Sequence, residues 1–269
     1  MNTRKNYSGI FGAVLAGLLA VACAQEKEAP AAYEETVVTD LERAQAAIAN
    51  STRLAEDGAD DEMRKPSEVL AFIGLEPGMA VFEIEAGNGY YTELFSQLVG
   101  ADGIVYMQTP ASFDSFLSEA LDARLADDRL PNVQLSKTNF DNLEAESVSI
   151  DVATWLLGPH DLYFTPSDGA SLGEVGPTYA EIYRIVKPGG RFIILDHKAA
   201  PGSPETTGGT LHRIDPAIVK SLVEAAGFEL IEESNILQNG DDDYTMQVFD
   251  PVVRRKTDRF LLKYEKPTE

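Results

Sequence analysis

The side chains of this 269-residue chain best suited to proton transfer or metal binding are its three histidines, His160, His197 and His212. Each stands beside a polar residue, respectively Asp161, Asp196 and Arg213. An imidazole titrates near neutral pH and can therefore take a proton from a reacting hydroxyl or amine. We expect His160 and then His197 to be the catalytic residues of such a step.

Other roles stay open for these side chains. A structural hydrogen bond is the alternative for each histidine, and it is favoured for His212, which directly precedes a predicted helix. Arg213 suits a clamp on a loop carboxylate. We expect substrate contacts from the polar residues Asp161, Tyr163, Asp196, His212 and Arg213. The histidines and aspartates also suit zinc or iron, but no short ligand spacing supports such a site, so no metal ligand is assigned.

A second candidate site is the stretch VFEIEAGNGYYTELF, residues 81–95. A short apolar run leads to Glu83, and Gly87 and Gly89 then precede a helical pattern. Glycines let the backbone turn sharply and approach a ligand closely. Glu83 places negative charge where a cationic or hydroxyl-rich ligand would arrive. The stretch departs from the dinucleotide fingerprint G-x-G-x-x-G because position 92 is threonine.

Glu85 is an unusual residue for such a loop. Its carboxylate adds a second negative charge close to Glu83. Like charges at that separation raise the pKa of one of the two groups unless a cation lies between them. Glu85 therefore either faces a cationic ligand or points into solvent.

The elements that position these residues alternate regularly along the chain. Apolar runs predict strands at residues 80–84, 104–107, 133–136, 150–156 and 191–195. Helical patterns separate most of them, at residues 90–98, 111–126 and 178–186. This alternation predicts an α/β, Rossmann-like, doubly wound sheet whose strands are covered on both faces. Ligands bind beyond the carboxyl ends of such strands, where all three histidines fall.

Two helical patterns precede the first strand and occupy residues 39–75. Residues 40–57 are Ala-rich with apolar spacings of three and four, which predicts a helix. The stretch SEVLAFIGLEPGM predicts a second helix with Ser67 as its cap.

The C-terminal part has a different pattern. DPAIVKSLVEAAGF predicts a helix that Asp215 caps and Gly227 ends. Two predicted strands follow within residues 229–237 and 259–267, without a full helix between them. This spacing predicts one antiparallel strand near the C-terminus.

These features together resemble the class I S-adenosylmethionine-dependent methyltransferases. YRIVKPGGRFIILDHKA (residues 183–199) resembles their helix–KPGG–strand unit, in which KPGG turns the chain back into the sheet. Glu83, Gly87 and Gly89 match part of their motif I, acid-x-Gly-x-Gly-x-Gly. The resemblance covers about residues 60–267. It implies a seven-stranded sheet, S-adenosylmethionine as cofactor, and methyl transfer helped mostly by proximity and orientation.

Within that superfamily, the chain is most similar to a subgroup of exported bacterial predicted methyltransferases. The shared motifs are HDLY (160–163), DHKA (196–199), TLHRID (210–215) and VFDP (248–251). The resemblance supplies no methyl acceptor, and we expect a small molecule.

The resemblance also implies cofactor contacts, some of which depart from the usual pattern. Gln108 stands where members usually carry an acid for the ribose hydroxyls. Asn139, followed by Phe140, stands where an aspartate usually faces the adenine amine. Both amides can hydrogen-bond without charge. The expected cofactor-binding residues are therefore Glu83, Glu85, Gly87, Gly89, Gln108, Asn139 and Phe140.

The charge of the chain limits its partners. It has 44 acidic and 22 basic residues, a net charge of −22. Nucleic acid and anionic membrane surfaces repel such a protein, so neither is an expected partner. A high net charge also serves solubility without any specific ligand.

The N-terminus has the pattern of an export signal. Residues 1–22 contain a basic start and an apolar run of 13 residues, too short to span a bilayer. AVAC resembles a lipobox and implies lipid attachment to Cys23, the single cysteine; an ordinary signal peptide is the alternative. Residues 23–38 read as a flexible tether before a domain at 39–269. We expect a periplasmic protein anchored by lipid to the outer membrane.

The sequence therefore leads to one expected function and two alternatives. The expected function is S-adenosylmethionine-dependent methyl transfer to a small acceptor. The first alternative is a non-catalytic ligand-binding lipoprotein on a methyltransferase scaffold, because a fold does not fix a function. The second is a metal-dependent enzyme that uses the histidines and aspartates.

Overall fold

Seven strands form one sheet in the computed structural model, which describes residues 38–269. The strands are β1 (Ala80–Ile84), β2 (Ile104–Gln108), β3 (Val133–Ser136), β4 (Ile150–Leu156), β5 (Val186–His197), β6 (Glu229–Ser234) and β7 (Arg259–Glu265). The helices are α1 (Asp40–Ile48), α2 (Gly58–Arg64), α3 (Pro66–Ile73), α4 (Tyr90–Val99), α5 (Asp114–Leu125), α6 (Val175–Ile185), α7 (Thr207–Leu211) and α8 (Pro216–Ala225). The predicted signal peptide and Cys23 lie outside the described residues, as does the predicted tether up to residue 37.

The order of strands across the sheet is β3-β2-β1-β4-β5-β7-β6. Neighbouring strands from β3 to β5 are parallel, whereas β7 is antiparallel to both β5 and β6. This confirms the predicted seven-stranded, mostly parallel sheet with one antiparallel strand near the C-terminus. The chain reverses its direction of winding between β1 and β4, which is where open α/β sheets bind their ligands.

Helices cover both faces of the sheet and produce two apolar clusters. One cluster joins the sheet to α1, α3 and α4, and the other joins it to α6 and α8. Because both faces are buried, the central strands are continuously apolar. Their apolar runs consequently gave the bounds of β1, β3 and β4 correctly from the sequence.

The N-terminal helices differ from the prediction in two places. The helix predicted through residue 57 ends at Ile48, and Asn50 accepts hydrogen bonds from the amide and hydroxyl groups of Thr52. An asparagine that bonds its neighbouring backbone competes with helix continuation. Ser67 is not a cap, because the helix begins at Pro66 and the Ser67 hydroxyl bonds Glu68.

The C-terminal helix is as predicted, but the KPGG segment is not a simple turn. Asp215 accepts the amide hydrogen of Ala217 at the start of α8. KPGG lies inside β5 as a wide irregularity between the Ile150–Val186 and Val152–Arg191 pairs. The residue that follows β7 hydrogen-bonds this irregular part of β5, since the Gly189 amide donates to the Lys266 carbonyl.

Buried ion pairs join the segment before α2 to helices α4 and α5. The Arg124 guanidinium bonds both carboxylate oxygens of Asp57 at 2.8 Å, and it also pairs with Glu93. Its Nε donates to the Asn88 carbonyl at 3.0 Å. The loop between β1 and α4 is thus held from outside the sheet. Between residues 38 and 269, no helix combines the length and apolar character that crossing a membrane requires.

Candidate functional site

A cavity of about 550 Å³ opens at the carboxyl ends of β1, β4 and β5. Its volume falls within the range of small-molecule sites. Four acidic side chains line it: Asp60, Glu83, Glu85 and Asp161. Basic and apolar residues line it as well, including Arg64, Arg254, Arg255, Arg259, Phe113, Phe116, Phe164 and Phe249. All three histidines also line it, so the predicted clustering of the histidines is observed.

The loop between β1 and α4 lines the cavity with Gly87 and not with Gly89. Gly87 lines the cavity with φ of 58°, and a side chain there would meet no atom within 4 Å. Gly89 has φ of 80° but packs against protein: an added Cβ would lie 2.8 Å from Met107 and 3.1 Å from Arg124. Gly87 is therefore positioned for a ligand, and Gly89 is required by the packing behind the loop.

Glu83 is a buried acid at the end of β1. The hydroxyl of Thr92 donates to its Oε2. Thr92 occupies the position where the dinucleotide fingerprint has its third glycine, so the apparent mismatch has a structural role. Burial raises the pKa of Glu83 from 4.5 to about 8, against the smaller opposing effects of Thr92 and Arg124. This shift favours the protonated form of Glu83 at neutral pH.

Glu85 points inward and not into solvent. Its backbone has φ of 54°, and its Oε2 accepts a hydrogen bond from the indole nitrogen of Trp155 at 2.9 Å. Gly158 leaves the space for this contact, because an added Cβ there would overlap both partners. Burial raises the pKa of Glu85 well above its ordinary value, and the negative charge of Asp161 raises it further. Of the two sequence alternatives for Glu85, the solvent-facing one is wrong.

Gln108, Asn139 and Phe140 do not line the cavity. Gln108 accepts the amide hydrogen of Glu85 at 2.8 Å and donates to the Thr138 carbonyl at 2.6 Å. Its amide is thus used to hold the Glu85 backbone in its left-handed conformation. Asn139 is exposed, and Phe140 is a core residue whose ring lies 5.0 Å from that of Trp155. None of the three therefore contributes to the wall of this cavity, and their expected cofactor contacts stay a prediction.

His160 is oriented by a buried carboxylate. One oxygen of Asp196 lies 2.7 Å from His160 Nδ1, and the other accepts the His160 amide hydrogen at 2.8 Å. This arrangement leaves Nε2 facing Asp161 Oδ1, at 3.3 Å. His212 Nδ1 lies 3.3 Å from the same Asp161 oxygen. The His160 and His212 rings meet edge to face, with centroids 5.3 Å apart.

The two histidines that were expected to be catalytic have opposite electrostatic surroundings. Burial alone would lower the pKa of His160, but the charges of Asp196 and Asp161 outweigh it and raise that pKa. Burial lowers the pKa of His197 well below its ordinary value, and the charge of His160 lowers it further. A neutral imidazole is the form that accepts a proton. Its surroundings thus favour the neutral form of His197, whose Nδ1 lies 2.6 Å from the Thr257 hydroxyl.

The residues expected to contact substrate fall into two groups. Asp161 and His212 line the cavity, as expected. Asp196 lies behind His160, fully buried. Arg213 is also fully buried and forms the predicted loop clamp, with its two terminal nitrogens 2.7 and 3.1 Å from the Asp242 carboxylate. Tyr163 faces a separate surface groove with Glu205 and Ile218. Asp196 and Arg213 are therefore positioning residues, and Tyr163 is outside the cavity.

The sequence interpretation missed the arginines of the cavity wall. Arg64 lies over the Tyr90 ring at 4.4 Å and pairs with Asp60, as Arg255 also does. Arg259 is buried and donates to the Met63 carbonyl at 2.7 Å. The sequence signal was DPVVRRKTDR, a basic run in a strongly acidic chain. This run lies almost entirely between the last two predicted strands, where no site residue was expected.

Comparisons with known proteins agree with this architecture. No family model matches the chain. A ubiquinone/menaquinone biosynthesis C-methyltransferase UbiE from Marinomonas sp. (strain MWYL1) is 28% identical over 123 residues, which are 46% of this chain and 44% of the relative. This chain thus spans less than half the length of that relative.

Two solved structures show the same fold at low identity. A SAM-dependent methyltransferase from Aquifex aeolicus is 19% identical, with a TM-score of 0.51 over 76% of this chain and 97% of the other. The [4+2]-cyclase SpnF is 16% identical, with a TM-score of 0.51 over 86% of this chain and 98% of the other. The described residues have the fold of the class I S-adenosylmethionine-dependent methyltransferase superfamily, as the sequence resemblance implied. Membership of the exported subgroup stays a prediction.

Proposed function

We propose that this chain is an S-adenosylmethionine-dependent methyltransferase that acts on a small, partly apolar acceptor. The observation that carries the proposal is the cavity at the β1/β4 switch point, where Glu83 ends β1 and Gly87 opens toward the ligand space. The curated relative above, a C-methyltransferase, adds support. The same cavity has the acidic lining that a cationic ligand needs.

The residues present fit the methionine end of this cofactor. Glu83 and Glu85 are buried acids with raised pKa values, and a cation beside either one would restore its ordinary ionisation. Arg64 and Arg259 supply positive charge for a carboxylate on the same wall. When bound, the cofactor supplies a methyl group on a positively charged sulfur. Glu83, Gly87 and Arg64 are the side chains and backbone assigned to hold it.

The acceptor side of the cavity is built from aromatic residues and histidines. Phe164 and Phe249 each pack 5.1 Å from the His212 ring, measured between centroids. Such a wall favours an acceptor with apolar surface. His197, held neutral by burial, takes the acceptor proton where the acceptor is a hydroxyl or an acidic carbon. Asp161 and His212 are assigned to orient the acceptor.

A ligand-binding protein without methyl transfer is the second candidate. The observation that favours it lies at the end of β2. The side-chain amide of Gln108 hydrogen-bonds the protein backbone there and offers no group to a ribose. The [4+2]-cyclase with the same fold illustrates that this architecture is not confined to proteins named methyltransferases.

Calorimetric titration of the purified full-length protein with S-adenosylmethionine and S-adenosylhomocysteine tests the cofactor assignment. We expect both to bind with one site. We expect Glu83→Gln to weaken the binding of both by about 10-fold or more, as for loss of a hydrogen bond to a charged group. Glu229→Gln, on the exposed start of β6, is the matched control and should bind like the wild type. Absence of heat and of any thermal shift with both ligands would refute the assignment.

Turnover separates the two candidates once binding is established. Loss of the methyl group from bound S-adenosylmethionine with any acceptor of a small-molecule panel supports the enzyme. Tight binding with no transfer to any acceptor supports the ligand-binding protein.

Export and lipid attachment at Cys23 are part of the same proposal, and the lipobox-like AVAC supports them. A Cys23→Ser variant is expected to lose metabolic lipid labelling and to leave the membrane fraction. The unchanged chain, processed in parallel, is the control. If the variant fractionates like the unchanged chain, the anchor is wrong. A periplasmic location also requires that the cofactor reach the periplasm. If the unchanged chain is found in the cytoplasm, that requirement no longer applies.

A further inference from the structure

We infer that the cavity contains a metal site in which His160, Asp161 and His212 bind one divalent transition-metal ion. Metal binding goes beyond the proposed function and does not depend on it, whereas the role given below to the ion toward an acceptor rests on that function. The three ligand atoms all lie within 4.8 Å of one another. Two imidazole nitrogens and one carboxylate oxygen form a donor set that zinc and iron(II) prefer.

The distances between the donors fit an ion of this kind. His160 Nε2 and His212 Nδ1 each lie 3.3 Å from Asp161 Oδ1. Ligand atoms about 2.0–2.2 Å from zinc lie about 3.0–3.5 Å from one another, since they occupy adjacent corners of its coordination polyhedron. The observed separations are longer than good hydrogen bonds, and they match these corners.

One potential ligand atom, Asp161 Oδ1, is not satisfied by hydrogen bonds. This oxygen is buried and has no hydrogen-bond partner among the described residues, although two imidazole nitrogens are near it. An unsatisfied buried carboxylate oxygen is costly in a folded protein. A cation between the three groups would satisfy it.

The next layer of residues is arranged as it is around known metal ligands. Asp196, fully buried, holds His160 Nδ1 at 2.7 Å and so directs Nε2 toward Asp161. A carboxylate that fixes the second nitrogen of a ligating histidine is a common outer-shell partner.

An ion at this position has access to the cavity. All three ligands line it, together with His197. Three protein ligands leave at least one coordination position for water or substrate, which is the arrangement of catalytic and not structural sites. The ion would act as a Lewis acid that binds and polarises an oxygen of the acceptor. The site therefore selects acceptors that carry a hydroxyl or carbonyl oxygen.

Metal titration without S-adenosylmethionine tests the site. The purified full-length protein is stripped with a chelator and titrated with Co²⁺ and then Zn²⁺. We expect one equivalent of Co²⁺ to give visible absorption bands that Zn²⁺ displaces. Asp196→Asn should weaken Zn²⁺ binding by about 10–100-fold, and His212→Gln and Asp161→Asn should weaken it further.

Asp60→Asn is the matched control for Asp161→Asn, because it removes a carboxylate from the same cavity without touching the three ligands. It should bind Co²⁺ like the wild type. No stoichiometric Co²⁺ bands from the wild type would overturn the site, whatever the variants do. Equal losses in Asp60→Asn and Asp161→Asn would also overturn it, since they would indicate nonspecific attraction by the acidic side chains of the cavity. Cofactor binding, measured separately with chelator present, reports on the proposed function alone.

Discussion

Replacing Glu83 by glutamine is expected to stabilise the unliganded protein, and the gain should increase as the pH rises. The carboxyl is buried, which raises its folded pKa to about 8 from 4.5. Between these two pH values the unfolded chain has lost this proton while the folded protein keeps it. The contribution of Glu83 to the free energy of unfolding therefore falls through this window, by about 1.4 kcal/mol per pH unit.

The expected gain is close to zero at pH 4.5 and on the order of 3–5 kcal/mol above pH 8. A neutral amide resembles the protonated acid and has no proton to lose, so the variant lacks this pH dependence. Urea unfolding of both proteins from pH 5 to 9 measures the difference. Glu229→Gln, an exposed carboxyl, should show no such divergence. A Glu83→Gln curve that runs parallel to the wild type across this range would contradict the buried, protonated state.

The same substitution links stability to ligand binding. If Glu83 serves a cationic cofactor, glutamine removes the charge that the cofactor needs while relieving the cost of burying it. The variant would then be more stable and bind less tightly, which is the trade-off expected at a destabilised functional site. A variant that is more stable and keeps full cofactor affinity would leave Glu83 as a purely structural acid.

The fold was predictable because its signals are local. The apolar runs of β1, β3 and β4 gave their bounds, and Asp215 with Gly227 gave the ends of α8. The helix through residue 57 failed for an equally local reason, because the Asn50 side chain bonds Thr52 instead of extending the helix. The seven strands and the antiparallel β7 followed from the resemblance and from the absence of a full helix between the last two predicted strands.

The site was predictable only in its positions and not in its contacts. Glu83, Gly87 and His160 fall at strand ends, which sequence order determines. Whether a side chain at a strand end faces the cavity depends on its rotamer and neighbours, as Gln108 illustrates by turning to the backbone of Glu85. From the sequence, a metal site among the histidines and aspartates was only an alternative, because His212 is about 50 residues from His160 and Asp161 and the fold brings the three together. No short ligand spacing can report such a site.

Gly158→Ala is expected to disrupt the part of the cavity wall that Glu85 and Trp155 form. Gly158 has φ of −138° and ψ of −24°, so alanine is not opposed by a left-handed backbone. The cost is steric: the added Cβ would overlap Glu85 Oε2 and Trp155 Nε1. One of the two must move, which breaks their 2.9 Å hydrogen bond. We expect a loss of about 2–4 kcal/mol in the free energy of unfolding, from overpacking and the broken bond together.

Trp155 makes this prediction measurable at the site itself, since it is the chain's one tryptophan. Its fluorescence should change in Gly158→Ala, because the indole loses the Glu85 carboxyl as its partner. Gly176→Ala is the control: it lies in the first turn of α6, has no atom within 4 Å of an added Cβ, and should be neutral or slightly stabilising. Unchanged emission and unchanged unfolding in Gly158→Ala would mean that Glu85 does not bond Trp155. In that case the inward position of Glu85 would be refuted, and with it the proposed role of Glu85 toward a cation.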